Sequence, residues 1–211
     1  MTRPFEGVKI LDFTQVLAGP YASYQLALLG ADVIKVERRE GEDMRRTPLS
    51  REWADRGLAP GWQAINGNKR SLTLDLSKPE AIAIVKQLAG LADVVMENFT
   101  PGTMDRLGIG WGALSKTNAS LIMASTSGFG QTGPYRERPA LDIRPMWCPR
   151  ADPTFVMTCL SQGLYGSSRS SIRRAIRSVS WMFVPCGARM SMTARSGSPS
   201  GKNSVPLPIL A

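Results

Sequence analysis

The stretch Gly7–Arg39, GVKILDFTQVLAGPYASYQLALLGADVIKVERR, constrains what this chain can fold into more than any other. Val8, Ile10, Leu11 and Phe13 form a short apolar run, which suits a strand buried on both faces of a parallel sheet. Gly19-Pro20 breaks the extended chain. Apolar residues then recur at Tyr21, Tyr24 and Leu28, and at Ala22, Leu26 and Leu29, which is helical spacing. Gly30 supplies the helix stop, and Val33–Val36 begins a second strand. Strand, loop, helix and strand in this order predict a βαβ unit. Such units bind ligands in the loops at the carboxyl ends of their strands, here Thr14–Pro20 and Glu37–Arg39.

The same grammar continues downstream. Glu40–Gly67 is a polar excursion with some helix. Ser71–Leu76 alternates strictly and predicts a half-buried strand. Ser77-Lys78-Pro79-Glu80 matches a capping box, with Ser77 as N-cap, and opens a helix that buries Ile82, Val85, Leu88 and Ala89 and stops at Gly90. Asp93–Glu97 reads as the next strand, Thr103–Leu107 and Trp111–Lys116 as helical turns, and Leu121–Ala124 as a further core strand. Ser125–Tyr135 is a Gly-rich loop. Regular alternation of strand and helix predicts an open α/β sheet.

Composition divides the chain at Asp142. The formal charge is +9. Residues 1–142 hold 17 Lys and Arg against 16 Asp and Glu, a net of +1, like an ordinary enzyme. Residues 143–211 hold 9 basic residues against Asp152 alone, a net of +8, together with 12 serines. Their short apolar pieces, such as Trp181–Val184, have neither caps nor sustained period. A natural basic tail competes with an RNA-binding tail built on the Arg169–Arg177 cluster, and with translation out of frame. Composition without pattern favours the last, and a disordered segment.

Other classes fall away. The chain has no histidine, so a Ser-His-Asp triad is excluded. Cys148, Cys159 and Cys186 have the number and spacing of neither a disulfide frame nor a zinc site, which points to no metal and to a reducing cytoplasm. No apolar run is long enough to span a membrane, and no secretory signal is visible at the start. GFGQTG, residues 128–133, lacks the Lys-Ser/Thr of a phosphate loop, and a plain turn accounts for its glycines.

Taken in order, the motifs resemble the class III CoA-transferases, which include formyl-CoA transferase, carnitine CoA-transferase, the bile-acid-inducible proteins and α-methylacyl-CoA racemase. The matching pieces are GVKILDF at 7–13 with Ala18-Gly19-Pro20, LGADVIKVE at 29–37, NKRSLTLDL at 68–76, ADVVMENF at 92–99, Arg106-Leu107-Gly108, and GFG with GPY running to Asp142. They cover nearly all of 1–142, and no part of 143–211.

The resemblance implies a Rossmann-like parallel sheet, incomplete within this chain, as a CoA-binding α/β portion over 1–142. It also implies an interlocked homodimer, with acyl-CoA and a small carboxylic acid as substrates and no tightly bound cofactor. Val16 and Ala18 would lie at the thioester end of coenzyme A, and Arg38 at its nucleotide phosphates or adenine. Leu74 and Asp75 would border the adenosine, Asn98 and Phe99 the pantetheine arm, and Arg106 a phosphate. Residue chemistry is compatible: the planar arginine fork pairs with phosphate. Arg38 could also be a solvated charge, Asn98 a turn-former and Arg106 a surface ion-pair partner. Leu17 stands where formyl-CoA transferases carry glutamine, which suits an acyl group larger or less polar than oxalate.

The implied reaction is CoA transfer through an aspartyl-CoA thioester. The nucleophilic aspartate is expected about thirty residues after Asp142, in a Gly-Asp context. Residues 167–173 read SSRSSIR, with no carboxylate. Asp142 matches an acid near the family's active site and could assist, or could be a helix N-cap. The sequence therefore predicts a CoA-transferase in truncated, inactive form. The rivals are a non-catalytic CoA-binding module and a basic nucleic-acid-binding protein, the latter distinguished by salt-sensitive affinity.

Overall fold

The computed structural model describes residues 3–47, 50–138, 156–161 and 193–196. Strand β1 (Lys9–Asp12) leads to helix α1 (Ala18–Leu28) and strand β2 (Asp32–Glu37). A 3-10 turn (Asp43–Arg46) and the short helices α2 (Arg51–Asp55) and α3 (Pro60–Asn66) make up the polar excursion. Then follow β3 (Arg70–Thr73), α4 (Pro79–Leu91), β4 (Val94–Glu97), α5 (Thr103–Arg106), α6 (Trp111–Thr117) and β5 (Ile122–Ser127).

These five strands pair in parallel in the order β3-β2-β1-β4-β5. Beyond β5 the sheet gains β6 (Val156–Ser161), antiparallel to it, and β7 (Thr193–Ser196), parallel to β6. The sequence pattern signals neither of these two added strands. Asp142, Cys148, Asp152, the Arg169–Arg177 cluster, Trp181–Val184 and Cys186 lie outside the described residues.

Period-two alternation sends neighbouring residues to opposite faces of the sheet. Ile10, Val33, Met96 and Ile122 join Leu26 and Ala27 of α1 in one core. Leu11, Val95 and Met123 join Val85 and Ala89 of α4 and Leu114 of α6 in the other. Both faces are covered, which is why the strands read as nearly continuous apolar runs.

Local differences from the sequence reading have clear causes. Helix α1 starts at Ala18, so Gly19 and Pro20 occupy its first turn, where Pro20 gives up no intrahelical hydrogen bond. Its buried face is Gly19, Pro20, Ser23, Leu26 and Ala27, whereas Leu28 and Leu29 are exposed. The polar Ser23 goes inward because the core beneath it holds a charge. The capping box at Ser77 does not form: Lys78 is the N-cap, without a side-chain cap, and the Ser77 hydroxyl donates back to Asp75 at 2.7 Å. Gly90 lies inside α4, which ends one residue later at Leu91 because Ala92 turns extended. Gly30, at φ +108, does end α1, and a Cβ there would fall 2.6 Å from Cβ of Arg3.

Candidate functional site

From β1 the chain moves outward through β2 to β3, then crosses back to β4 on the other side of β1. The loops after β1 and β4 therefore diverge at a topological switch point, the crevice where open α/β sheets take their ligands. Phe13 N–H donates to the carbonyl of Met96 at 2.8 Å and extends the β1–β4 ladder to the floor of this crevice.

The loop 14–17 is held from beneath by buried charges. Asp12, fully buried, accepts from the amide and hydroxyl of Thr14 through one carboxylate oxygen and from the Ser23 hydroxyl through the other. Lys69 Nζ lies within 2.8 to 3.0 Å of Asp12, Pro20 O, Ser23 and Asn66. The second ammonium, Lys35, donates to Thr14 O at 2.7 Å and to Glu42 at 3.1 Å. Burial pushes the Asp12 carboxyl upward, but Lys69, Lys35 and the two hydroxyls outweigh it and hold the group below its ordinary value. Burial pulls Lys69 down, and Asp12 offsets only part of this because Lys35 repels it. Glu42 goes the other way: burial raises it, Lys35 opposes, and one of its oxygens has no hydrogen-bond partner among the described residues.

Next to this network Glu37 takes two hydrogen bonds from Arg45, at 2.8 and 2.6 Å, and one from the Ser71 hydroxyl. Burial raises the Glu37 carboxyl, and Arg45 overcomes it, so the group sits below its ordinary value. Arg45 also stacks 3.6 Å above Trp62. That arginine is committed to structure. Arg38, by contrast, is on the surface, donating to Gly41 O at 2.8 Å and pairing with exposed Asp43. Arg39 and Arg46 make no ion pair among the described residues.

Four of the eight site residues proposed from sequence come together. Arg38, Leu74, Asp75 and Phe99 line one cleft of about 570 Å³ at the carboxyl ends of β1 to β4, with Phe13 and Gln15. A second hollow of about 350 Å³ adjoins it across Arg38 and Arg39 and adds Arg46 and Arg56. The pair offers an apolar floor with a rim rich in arginine. Asp75 is fixed by Ser77, whose hydroxyl and amide both donate to it and lower its pKa.

Val16 and Ala18 occupy the β1 loop and the first residue of α1, beside Gln15. Val16 has φ +69, a left-handed conformation that a β-branched residue rarely adopts. Asn98 spends its side-chain amide on Gln15: its oxygen accepts from Gln15 N–H and its nitrogen donates to Gln15 C=O, both at 2.7 Å. Arg106 is separated from this group. It donates to Thr103 and faces another cavity of about 380 Å³, with Glu97, Ser125 and Gln131.

Sequence reasoning missed Lys35, Lys69 and Glu97. Glu97, at the end of β4, is buried; its carboxylate accepts from Phe99 N–H at 2.8 Å. Burial raises its pKa to about 7, against the hydrogen bonds from Ser125 and Phe99. The one available signal was a charged residue inside each of three apolar strand motifs: Asp12, Lys35 and Glu97. Among the described residues no cluster could hold a metal, and no helix is long and apolar enough to cross a membrane.

An open α/β sheet, parallel over its first five strands, carries at its switch point a cleft with an apolar floor and an arginine-rich rim. Residues 5–145 match the profile of CoA-transferase family III, and the chain belongs to that family. The beta subunit of succinyl-CoA–L-malate CoA-transferase from Chloroflexus aurantiacus is 44% identical over 141 residues, covering 65% of this chain and 34% of that protein. Mouse succinyl-CoA:glutarate CoA-transferase is 34% identical over 210 residues, covering 91% and 47%. A solved CAIB/BAIF family protein from Brucella suis superposes with a TM-score of 0.64 at 34% identity, covering 86% of this chain and 50% of that one. The chain thus spans between about a third and a half of the length of these relatives.

Proposed function

We propose that this chain binds the CoA moiety of an acyl-CoA across the switch-point cleft and serves a reaction that moves CoA onto a carboxylic acid. The observation that carries the proposal is the joining of the two hollows at Arg38 and Arg39: an apolar cleft floored by Phe13, Leu74 and Phe99 meets a hollow lined by five arginines, of which Arg45 is already spent on Glu37. Coenzyme A has that polarity, with phosphates at one end and a thin, mostly apolar arm at the other. Arg38 takes a phosphate, Leu74 and Asp75 border the adenosine, Phe99 lies along the arm, and Val16 and Ala18 stand at the thioester. Arg106 serves a phosphate only if the ligand extends past α5 into the neighbouring cavity.

The relatives' names supply the substrate class: a succinyl-CoA-like donor and a dicarboxylic acceptor. An exposed Leu17 beside the thioester is compatible with an acyl group larger than oxalate. In the reaction a carboxylate attacks the thioester carbonyl, CoA thiolate leaves, and a mixed anhydride forms. The thiolate then attacks the enzyme-side carbonyl and expels the donor acid, which leaves an enzyme thioester for the acceptor to open by the same steps in reverse. Residues 143–211 contain one acid, Asp152, in an Ala-Asp-Pro context. This favours CoA binding without turnover as the second reading. The interlocked homodimer belongs to the same proposal.

Calorimetric titration of the chain with CoA, followed by mass spectrometry after incubation with succinyl-CoA, tests both readings. Binding with a hydroxylamine-sensitive CoA adduct supports transfer. Binding without an adduct supports the module. No binding of CoA overturns the proposal.

A further inference from the structure

The switch-point crevice opens because the loops after β1 and β4 diverge, yet a single side chain ties them together. Asn98 and Gln15 are 83 residues apart in sequence. The Asn98 carboxamide takes both backbone groups of Gln15, accepting from its N–H and donating to its C=O, both at 2.7 Å. Few side chains can do this, since the pairing needs a donor and an acceptor on one planar group. Asn98 is itself held from behind, because Glu97 takes the N–H of Phe99 at 2.8 Å and turns the chain at this point.

The residue after Gln15 is Val16, at φ +69. Such a conformation persists in a β-branched residue only where its surroundings enforce it. Two anchors precede it: Thr14 O is held by Lys35, and Thr14 N–H by Asp12. After it, Tyr21 N–H donates to Leu17 O in the first turn of α1. Between these anchors, the Asn98 amide is the contact that fixes the Gln15 peptide and so the plane from which Val16 starts.

We propose that Asn98 is a positioning residue: by clamping the Gln15 peptide it holds Val16 left-handed and keeps the loop 14–18 open as the thioester end of the cleft, with its own amide on the loop and none of it on the ligand. The part concerning the thioester rests on the CoA-binding reading above; the clamp does not.

The test uses the full chain and three substitutions: Asn98→Ala, Asn98→Asp and Val16→Gly. Hydrogen exchange reads the clamp directly. Gln15 N–H is expected to lose at least about tenfold protection in Asn98→Ala, where its acceptor is gone. In Asn98→Asp, which keeps the acceptor, protection is expected to persist. Affinity for succinyl-CoA reads the consequence. Asn98→Ala is expected to weaken binding about tenfold, the scale of one released left-handed residue. Glycine adopts φ near +69 without penalty. In a Val16→Gly background, then, Asn98→Ala is expected to cost about twofold or less.

A direct contact between Asn98 and the ligand predicts the same loss in both backgrounds, and that result overturns the proposal. Unchanged exchange at Gln15 in a folded Asn98→Ala chain overturns it as well. If the unsubstituted chain binds neither CoA nor succinyl-CoA, the functional reading falls, and the exchange experiment still decides the clamp.

Discussion

Lys69 and Asp12, 57 residues apart in sequence, meet at 3.0 Å with both side chains closed to water. The contact joins the strand that begins the sheet to the turn before β3, and it sits under the first turn of α1 through Ser23 and Pro20. Removing one partner from such a pair leaves an uncompensated buried charge, at a cost of about 3–5 kcal/mol. Asp12→Asn and Lys69→Met are each expected to lower the urea midpoint accordingly. The double variant is expected to recover part of the loss, and strict additivity of the two single losses would rule the pairing out as their cause.

Glu97 makes stability fall as pH rises. Its carboxyl titrates at about 7 in the folded chain, against an ordinary value of 4.5. Between those values the folded state binds more protons than the unfolded one, so stability decreases with pH across that window and levels off above 7. The gap corresponds to roughly 3 kcal/mol as an upper bound. Glu97→Gln keeps an acceptor for Phe99 N–H and removes the titration. Urea melts from pH 4 to 8 are expected to lose this fall in the variant, which becomes the more stable form at pH 8.

Arg38 is exposed and its partner Asp43 more so, which makes their ion pair worth little to the fold. Arg38→Ala is therefore expected to leave the melting temperature unchanged. It is expected to weaken CoA about tenfold, the value of one charge-assisted hydrogen bond to phosphate. Pantetheine, which has no phosphate, is the control. An equal loss for CoA and pantetheine would show that Arg38 acts on something other than phosphate.

Gly19 lies against Thr14, where an added Cβ would fall 2.5 Å from Cβ of Thr14. Thr14 cannot easily yield, because Asp12 holds its hydroxyl and amide and Lys35 its carbonyl. Gly19→Ala is expected to cost about 1–3 kcal/mol by overpacking. Because it pushes on the loop that carries Val16, CoA affinity is expected to drop with stability. Thermal melts and a CoA titration on the same preparation check both.

The sheet was legible in the sequence because its strands carry their own evidence. Ile10-Leu11, Val94–Met96 and Ile122–Ala124 are apolar on both faces, Val33–Val36 is so except for Lys35, and each run matches a strand. Ser71–Leu76 alternates because β3 is an edge strand with one face outward, although the strand itself ends at Thr73 and Leu74–Leu76 belong to the loop that follows it. The arginines at the end of β2 and the apolar residues Leu74 and Phe99 were legible for the same reason: a strand's carboxyl end is fixed once the strand is. Helix details were less so. Ser77 looked like a cap and bonds Asp75 instead, since a serine hydroxyl has several backbone and side-chain partners within local reach.

The sequence by itself thus determined the alternation of strands and helices, the loops at the carboxyl ends of the strands, and through its motifs the family. The tertiary structure alone decided which charges go inside and which polar groups hold the loops. Lys35 and Lys69 look like surface lysines in the chain, and Asn98 like a turn residue. Each acquires its role from a partner 7 to 83 residues away, in Glu42, Asp12 and Gln15. The physical reason is that burial of a charge or an amide is favourable only when its partner is already in place. That partner is supplied by the packing of distant segments, and no local pattern of residues records it.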